Sequence, residues 1–295
     1  MANTRDASTS TDWIASRVVI IVLFATFGIL GNGLVIRICR REKSGSKKAP
    51  SCGSQLYILA MAWIDLTGCM LLLPQTPFWE LGVLPNVAHA VQNVLVKNAY
   101  LFVQLAMTFD RIFAVFRPHE FLQMRRRTNR ALAVLFLLQQ LTIYTSMTVN
   151  ATTSTTNYIG VTVHAMTFAL GLVTMLVAYP AIAARLYSQN RHVRETYPAS
   201  HHRCTDATSI GRAVISEGQQ RRGHHVKTLK IYVGVLVLYL ATVIPVALLA
   251  ANINSTHLWV AYVYYINNIG NPFIYYAFND RFRDEVKAMF RSRSC

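Results

Sequence analysis

Two short polar clusters sit inside long apolar runs of this chain. Asp110-Arg111-Ile112 closes the third run, and Asn271-Pro272-Phe273-Ile274-Tyr275 lies deep in the seventh. Asp65 and Lys97 add a carboxylate and an ammonium to the second and third runs. Ionised and helix-breaking groups are costly in hydrocarbon, so within spanning segments they mark ion pairs, ion paths, ligand contacts or switches. An arginine beside an aspartate offers a carboxylate a permanent charge and a rigid fork of donors. A proline within a helix frees a backbone carbonyl that neighbouring helices or water can re-satisfy.

The polar residues of the third run keep to one helical face. Asn86, Asn93, Lys97, Tyr100, Gln104, Thr108 and Arg111 are separated by 7, 4, 3, 4, 4 and 3 positions, the spacing of a single stripe. Such a stripe must face a bundle interior, either as a structural seam or as the lining of a ligand cavity. Tyr262, Tyr265, Asn268, Asn271 and Tyr275 form a second stripe in the seventh run. Lys97 costs about 2.5–3.5 kcal/mol at mid-depth on insertion scales and needs a partner. It can serve in two ways. The ammonium can reach Asp65, or it can join Asn93 and Tyr265 around an anionic ligand head group. His164, near the outer end of the fifth run, and Tyr262 complete the candidate ligand pocket, although packing and interface anchoring would account for the aromatics equally well.

The elements that must position these groups follow from composition. Of 295 residues, 53% are hydrophobic and 14% charged, whereas a soluble domain carries about 25% charged residues. Apolar runs near 17–39, 54–78, 87–116, 131–149, 158–187, 226–251 and 257–278 approach or exceed the roughly 20 residues that a spanning helix needs. In lipid such runs must be helical. The expected fold class is therefore an all-α membrane protein, a seven-transmembrane helix bundle over 17–278. A polar tail (1–16) precedes it, a polar third inner loop at about 188–225 is expected to be mobile, and 279–295 carries a short amphipathic surface helix and tail. Phe282, Val286, Met289 and Phe290 form that helix's apolar face. Cys295 is a palmitoylation candidate. Pro74 and Pro77 should kink or end the second helix.

The formal charge is +16. With the N-terminus outside, all but three of the 29 Lys and Arg residues fall on inner segments, the exceptions being Arg5, Arg17 and Lys97. That asymmetry is the positive-inside pattern and excludes nucleic acid as the expected partner. It orients the chain as a multi-pass membrane protein with its N-terminus outside. The glycosylation sequons at Asn150 and Asn254 both reach the outer side under this topology. None of the five cysteines falls in an outer loop, which leaves no external disulfide. No Cys/His cluster has metal spacing. The absence of His-Glu-x-x-His, Gly-x-Ser-x-Gly and phosphate-loop patterns argues against an enzyme.

In this order and spacing the residues resemble the class A, rhodopsin-like, G-protein-coupled receptors over nearly all of the chain. Asn32, Asp65, Asp110-Arg111, Pro118, Tyr179, Tyr239, Pro245, and Asn271, Pro272 and Tyr275 fit the family's motifs helix by helix. Trp79 and Gly82 fit its first outer loop. The resemblance implies binding of an extracellular or membrane-derived ligand, such as an anionic lipid or a peptide. It also implies outward movement of the sixth helix and coupling to a heterotrimeric G protein, with arrestin as a further candidate partner. Arg111 would carry the coupling chemistry, held at rest by Asp110. Asn32, Asp65, Tyr100, Asn268 and Asn271 fit the family's polar network, where sodium binds. The bulk of Tyr100 in place of a small hydroxyl residue and the nearby Lys97 argue against sodium here, and no other cofactor is expected.

The departures are also informative. Asn86 stands where the family has a cysteine, Val243 where it has a tryptophan switch, Gln139 where it has a tryptophan and Gly171 where it has a proline. Where many members place an acid on the sixth helix to restrain the arginine, this chain has His225, flanked by Arg221, Arg222 and Lys227. Raised ligand-independent signalling is the expected consequence. The competing function is an ion- or proton-coupled transporter or channel using Asp65 and Lys97. The odd number of runs and the lack of an inverted repeat weigh against it.

Overall fold

The computed structural model describes residues 3–45, 53–75, 86–153, 159–196, 226–245 and 259–291. Helices account for nearly all of them, and no strand occurs among the described residues. In chain order they are α1 (Asn3–Gly45), α2 (Gly53–Thr67), α3 (Asn86–Phe116), α4 (Phe121–Thr153), α5 (Ile159–Thr196), α6 (Val226–Pro245), α7 (Trp259–Phe278) and α8 (Asp280–Arg291). A π-helical turn, Gly68–Leu72, continues α2.

Among the described residues five stretches are long and apolar enough to cross a membrane: Ser16–Arg41, Gln55–Gln75, Leu95–Phe116, Ala165–Gln189 and Val226–Pro245. Their outward faces carry apolar groups that water would not tolerate at such density. Leu30 on α1, Leu170 and Val177 on α5 and Phe273 on α7 are each about two-thirds exposed. An apolar surface of this extent is the signature of a lipid-facing belt. Helices α4 and α7 fall outside the five because polar residues dilute them. Those residues point inward: Gln139 and Ser146 of α4, and Asn267, Asn268 and Asn271 of α7, are buried.

Helix α3 is central. It packs on α2, α4 and α5, and 61% of its apolar window is buried against 28% for α1 and α5. The main core joins Tyr100, Leu101 and Leu105 of α3 to Met61 of α2, Met175 and Tyr179 of α5, Tyr232 and Tyr239 of α6, and Tyr275 of α7. Small residues permit the closest approaches. A Cβ on Gly68 would lie 2.5 Å from Asn268 Nδ2 of α7, so a larger residue there would have to displace the Asn268 side chain.

Several boundaries differ from the sequence expectation. Helix α1 begins at Asn3, inside the stretch read as a polar tail, since nothing from Asn3 onward in that stretch breaks a helix. Helix α4 starts at Phe121, ten residues before the apolar run, because its first turns are basic. Residues 188–196, expected to be mobile, complete α5. Near Pro74 the π turn was not foreseen. Proline has no amide hydrogen and crowds the carbonyl four residues back. The turn before it widens, and the Leu73 amide bonds to the Gly68 carbonyl. Pro77, Trp79, Gly82, His225, Asn254, Cys295 and most of the third inner loop lie outside the described residues.

Candidate functional site

The inner cluster is built from α3 outward. Arg111 Nη2 donates to Asp110 Oδ2, and both side chains are almost wholly buried. Asp110 Oδ1 meets a second cation, Arg125 Nε, at 3.3 Å. Arg125 arrives there because the chain turns tightly after α3. The Arg117 amide bonds to the Phe113 carbonyl at 3.0 Å and the Glu120 amide to the Arg117 carbonyl at 3.2 Å. Exposed Pro118 lies in that turn, and Arg125 then stands one turn into α4. Its guanidinium lies over the rings of Tyr57 and Phe121, at 5.6 and 6.0 Å. Tyr57 Oη in turn donates to Asn129 Oδ1 at 3.1 Å. Two guanidinium groups therefore share one desolvated carboxylate.

Helix α6 closes this cluster with an aromatic ring. Arg111 Cζ stands 5.3 Å from the ring centroid of Tyr232, which is fully buried. A guanidinium over an aromatic face is held by the ring quadrupole. The element expected to lack a restraint on Arg111 thus supplies one of a different kind.

The mid-bundle cluster links α1, α2, α3 and α7. Asn271 Nδ2 donates to Asp65 Oδ2 at 2.7 Å and lies 3.3 Å from Tyr100 Oη. Tyr100 Oη donates to Asn267 Oδ1 at 3.1 Å. Asn32 Nδ2 donates to the Asn268 carbonyl at 2.8 Å and to that of Gly28 at 3.0 Å. Pro272, which breaks the α7 backbone ladder, is itself buried. Asn32, Asp65, Tyr100, Asn268 and Asn271 thus gather in one cluster, the set that the family resemblance grouped. The partner the structure gives Asp65 is Asn271 rather than Lys97.

Further contacts carry the mid-bundle cluster to α5 and α6. Tyr100 stacks on Tyr239 with centroids 5.1 Å apart, and Phe168 approaches Tyr239 at 6.2 Å. Thr108 Oγ1 lies 3.4 Å from Tyr179 Oη. Tyr275 packs on Phe282 of α8 at 6.4 Å. Asn279 caps α8, its Oδ1 accepting from the Phe282 amide at 3.2 Å. Lys227 of α6 reaches Asp280 at 2.6 Å. That hydrogen bond and charge, with Arg283 beside them, hold the exposed Asp280 carboxyl below its ordinary range.

The candidate ligand pocket is described in part. Lys97 is half-buried, and Tyr265 packs with Leu72, Leu73 and Val96. The side chains of Asn93, His164 and Tyr262 lie outside the described residues, as does that of Asn150. Among the described residues no group of three His, Cys, Asp or Glu side chains is placed to hold a metal. Four participants were not singled out from the sequence. Arg125 and Tyr57 join the inner cluster, Tyr232 covers it, and Asn267 completes the mid-bundle chain. Only Asn267 carried a local signal, as the neighbour of Asn268. No protein-family model matches the chain, and no curated protein matches it.

Proposed function

We propose that this chain is a rhodopsin-like G-protein-coupled receptor of the plasma membrane, with seven spans and an extracellular N-terminus. It binds an extracellular or membrane-derived ligand, an anionic lipid or a peptide, at the outer ends of α3, α5 and α7. The pocket residues are Asn93, Lys97, His164, Tyr262 and Tyr265. Its partner is a heterotrimeric G protein, which docks where outward movement of α6 uncovers Arg111. One observation carries this proposal above the others. Arg111 is buried at one end of the central helix, paired to Asp110 and covered by an aromatic ring of α6. A purely structural arginine would not need its cover on the one helix that the family moves. The tyrosine and asparagine contacts between Asp65 and Tyr239 tie the mid-bundle to the helix that carries that ring, about two turns from it.

The test is nucleotide exchange on a purified G protein by the full chain in nanodiscs. Ligand-independent exchange above the Arg111→Ala variant is expected. Equal exchange by both, together with ion flux through the chain in sealed vesicles, would replace the receptor with a transporter or channel.

A further inference from the structure

Helix α1 carries, toward its end, a shallow and largely open basic depression that neither polar cluster uses. Gly33, Ile36, Arg37, Arg40 and Arg41 line about 470 Å³ of open space on one face of that helix. The three arginines are exposed, and none has an ion-pair partner among the described residues. Gly33 forms the floor: a Cβ there would meet nothing within 4 Å. Arg40 Cζ sits 5.3 Å above the ring of Trp63 on α2, itself 42% exposed on the lipid side. Helical side chains lean toward their own N-terminus, which carries the Arg40 guanidinium back over the apolar part of the bundle. The same flank of α1 continues as exposed Leu30, Phe27 and Leu23.

Phosphate-binding forks at one end of an apolar track match an amphiphile. We infer that this concavity binds the head group of an anionic lipid bearing phosphate monoesters, in the leaflet on the chain's basic side, with its acyl chains along Leu30 and Phe27. Guanidinium forks bind the terminal oxygens of a phosphate in pairs. Trp63 holds Arg40 in place. The inference rests on α1 and α2 crossing the membrane and is independent of G-protein coupling.

The experiment uses the full chain in phosphatidylcholine nanodiscs, titrated with dioctanoyl phosphatidylinositol bisphosphate. Arg37→Gln, Arg40→Gln and Arg41→Gln together should weaken binding on the order of a hundredfold, at about fivefold per arginine near a membrane surface. Removing equal charge at Arg126, Arg127 and Arg130 should change it by less than about threefold, because distant charges are screened. Trp63→Leu should cost about two- to fivefold. Gly33→Leu keeps every charge and replaces a poor helix former by a good one, yet should block the site by filling its floor. Inorganic phosphate and the free inositol phosphate should bind at least about tenfold more weakly than the lipid, since each buried methylene contributes about 0.8 kcal/mol. Equal losses in the two triple variants, full affinity in Gly33→Leu, or soluble phosphates that bind as tightly as the lipid would each overturn the assignment.

Discussion

Replacing Tyr232 by leucine removes the ring over Arg111 while leaving an apolar side chain in the core. The guanidinium lies 5.3 Å from the ring centroid, and both groups are buried. Cation–π contacts contribute about 0.5–1 kcal/mol at exposed sites and about 2 kcal/mol when desolvated. A loss of about 1–2 kcal/mol from the resting state multiplies the active-to-resting ratio by roughly 5 to 30. At matched receptor amounts in nanodiscs, ligand-independent nucleotide exchange by Tyr232→Leu should rise toward that factor. Tyr232→Phe isolates the ring. Its face remains, and the hydroxyl it removes is buried without a hydrogen-bond partner among the described residues. Its exchange rate should therefore stay at or below that of the unaltered chain. The reasoning fails if Tyr232→Leu matches the unaltered chain, or if Tyr232→Phe rises as far as the leucine variant.

Asn271→Leu should lower stability by about 1.5–3 kcal/mol, because it strips a buried carboxylate of its 2.7 Å donor. Asp65→Asn, which removes the charge itself, should cost less, and thermal unfolding in detergent ranks the two. Gly68→Ala should destabilise by about 1–3 kcal/mol, through the clash with Asn268. Gly33→Ala should be neutral or gain up to about 1 kcal/mol, and the same melts decide. Asp280 gives a pH signature. Its carboxyl is depressed by Lys227 and Arg283, so its contribution is complete above the ordinary aspartate value of about 3.9 and is lost as pH falls through the depressed value. A spin-label distance between α6 and α8 should lengthen only in that acid range, and Asp280→Asn should show the longer distance at neutral pH.

Helical spacing made the mid-bundle cluster legible in advance. Tyr100, Asn268 and Asn271 lie on stripes, Asp65 is a carboxylate within an apolar run, and polar residues in lipid have one place to go. Spacing does not give the rotational register between helices. Asn267 could not be told from an outward residue until the α7 face opposite Tyr100 was fixed. Arg125 was hidden for a different reason. It belongs to a run of three arginines that topology alone explains, and only the tight turn at Pro118 brings this member to Asp110. Tyr232 sits in the apolar run Ile231-Tyr232-Val233, where a ring counts as packing until a cation is found above it. The turn at Gly68–Leu72 left no pattern beyond Pro74 itself, because the response of a backbone to proline depends on which neighbours can donate to the freed carbonyl.

That turn also governs how the second helix tolerates insertions and deletions. A π turn amounts to one additional residue accommodated within an α-helix, and each residue in an α-helix corresponds to about 100° of rotation. Deleting Met70, which points away from the core, would restore regular winding. Because the wide turn already absorbs that residue, the segment beyond it would hold its rotational phase, with the buried Leu73 still on its neighbours. Asp65, lying before the turn, would keep its azimuth. The wide turn is thus a place where this helix can gain or lose one residue while the charge at its centre and the apolar contacts beyond it stay in phase.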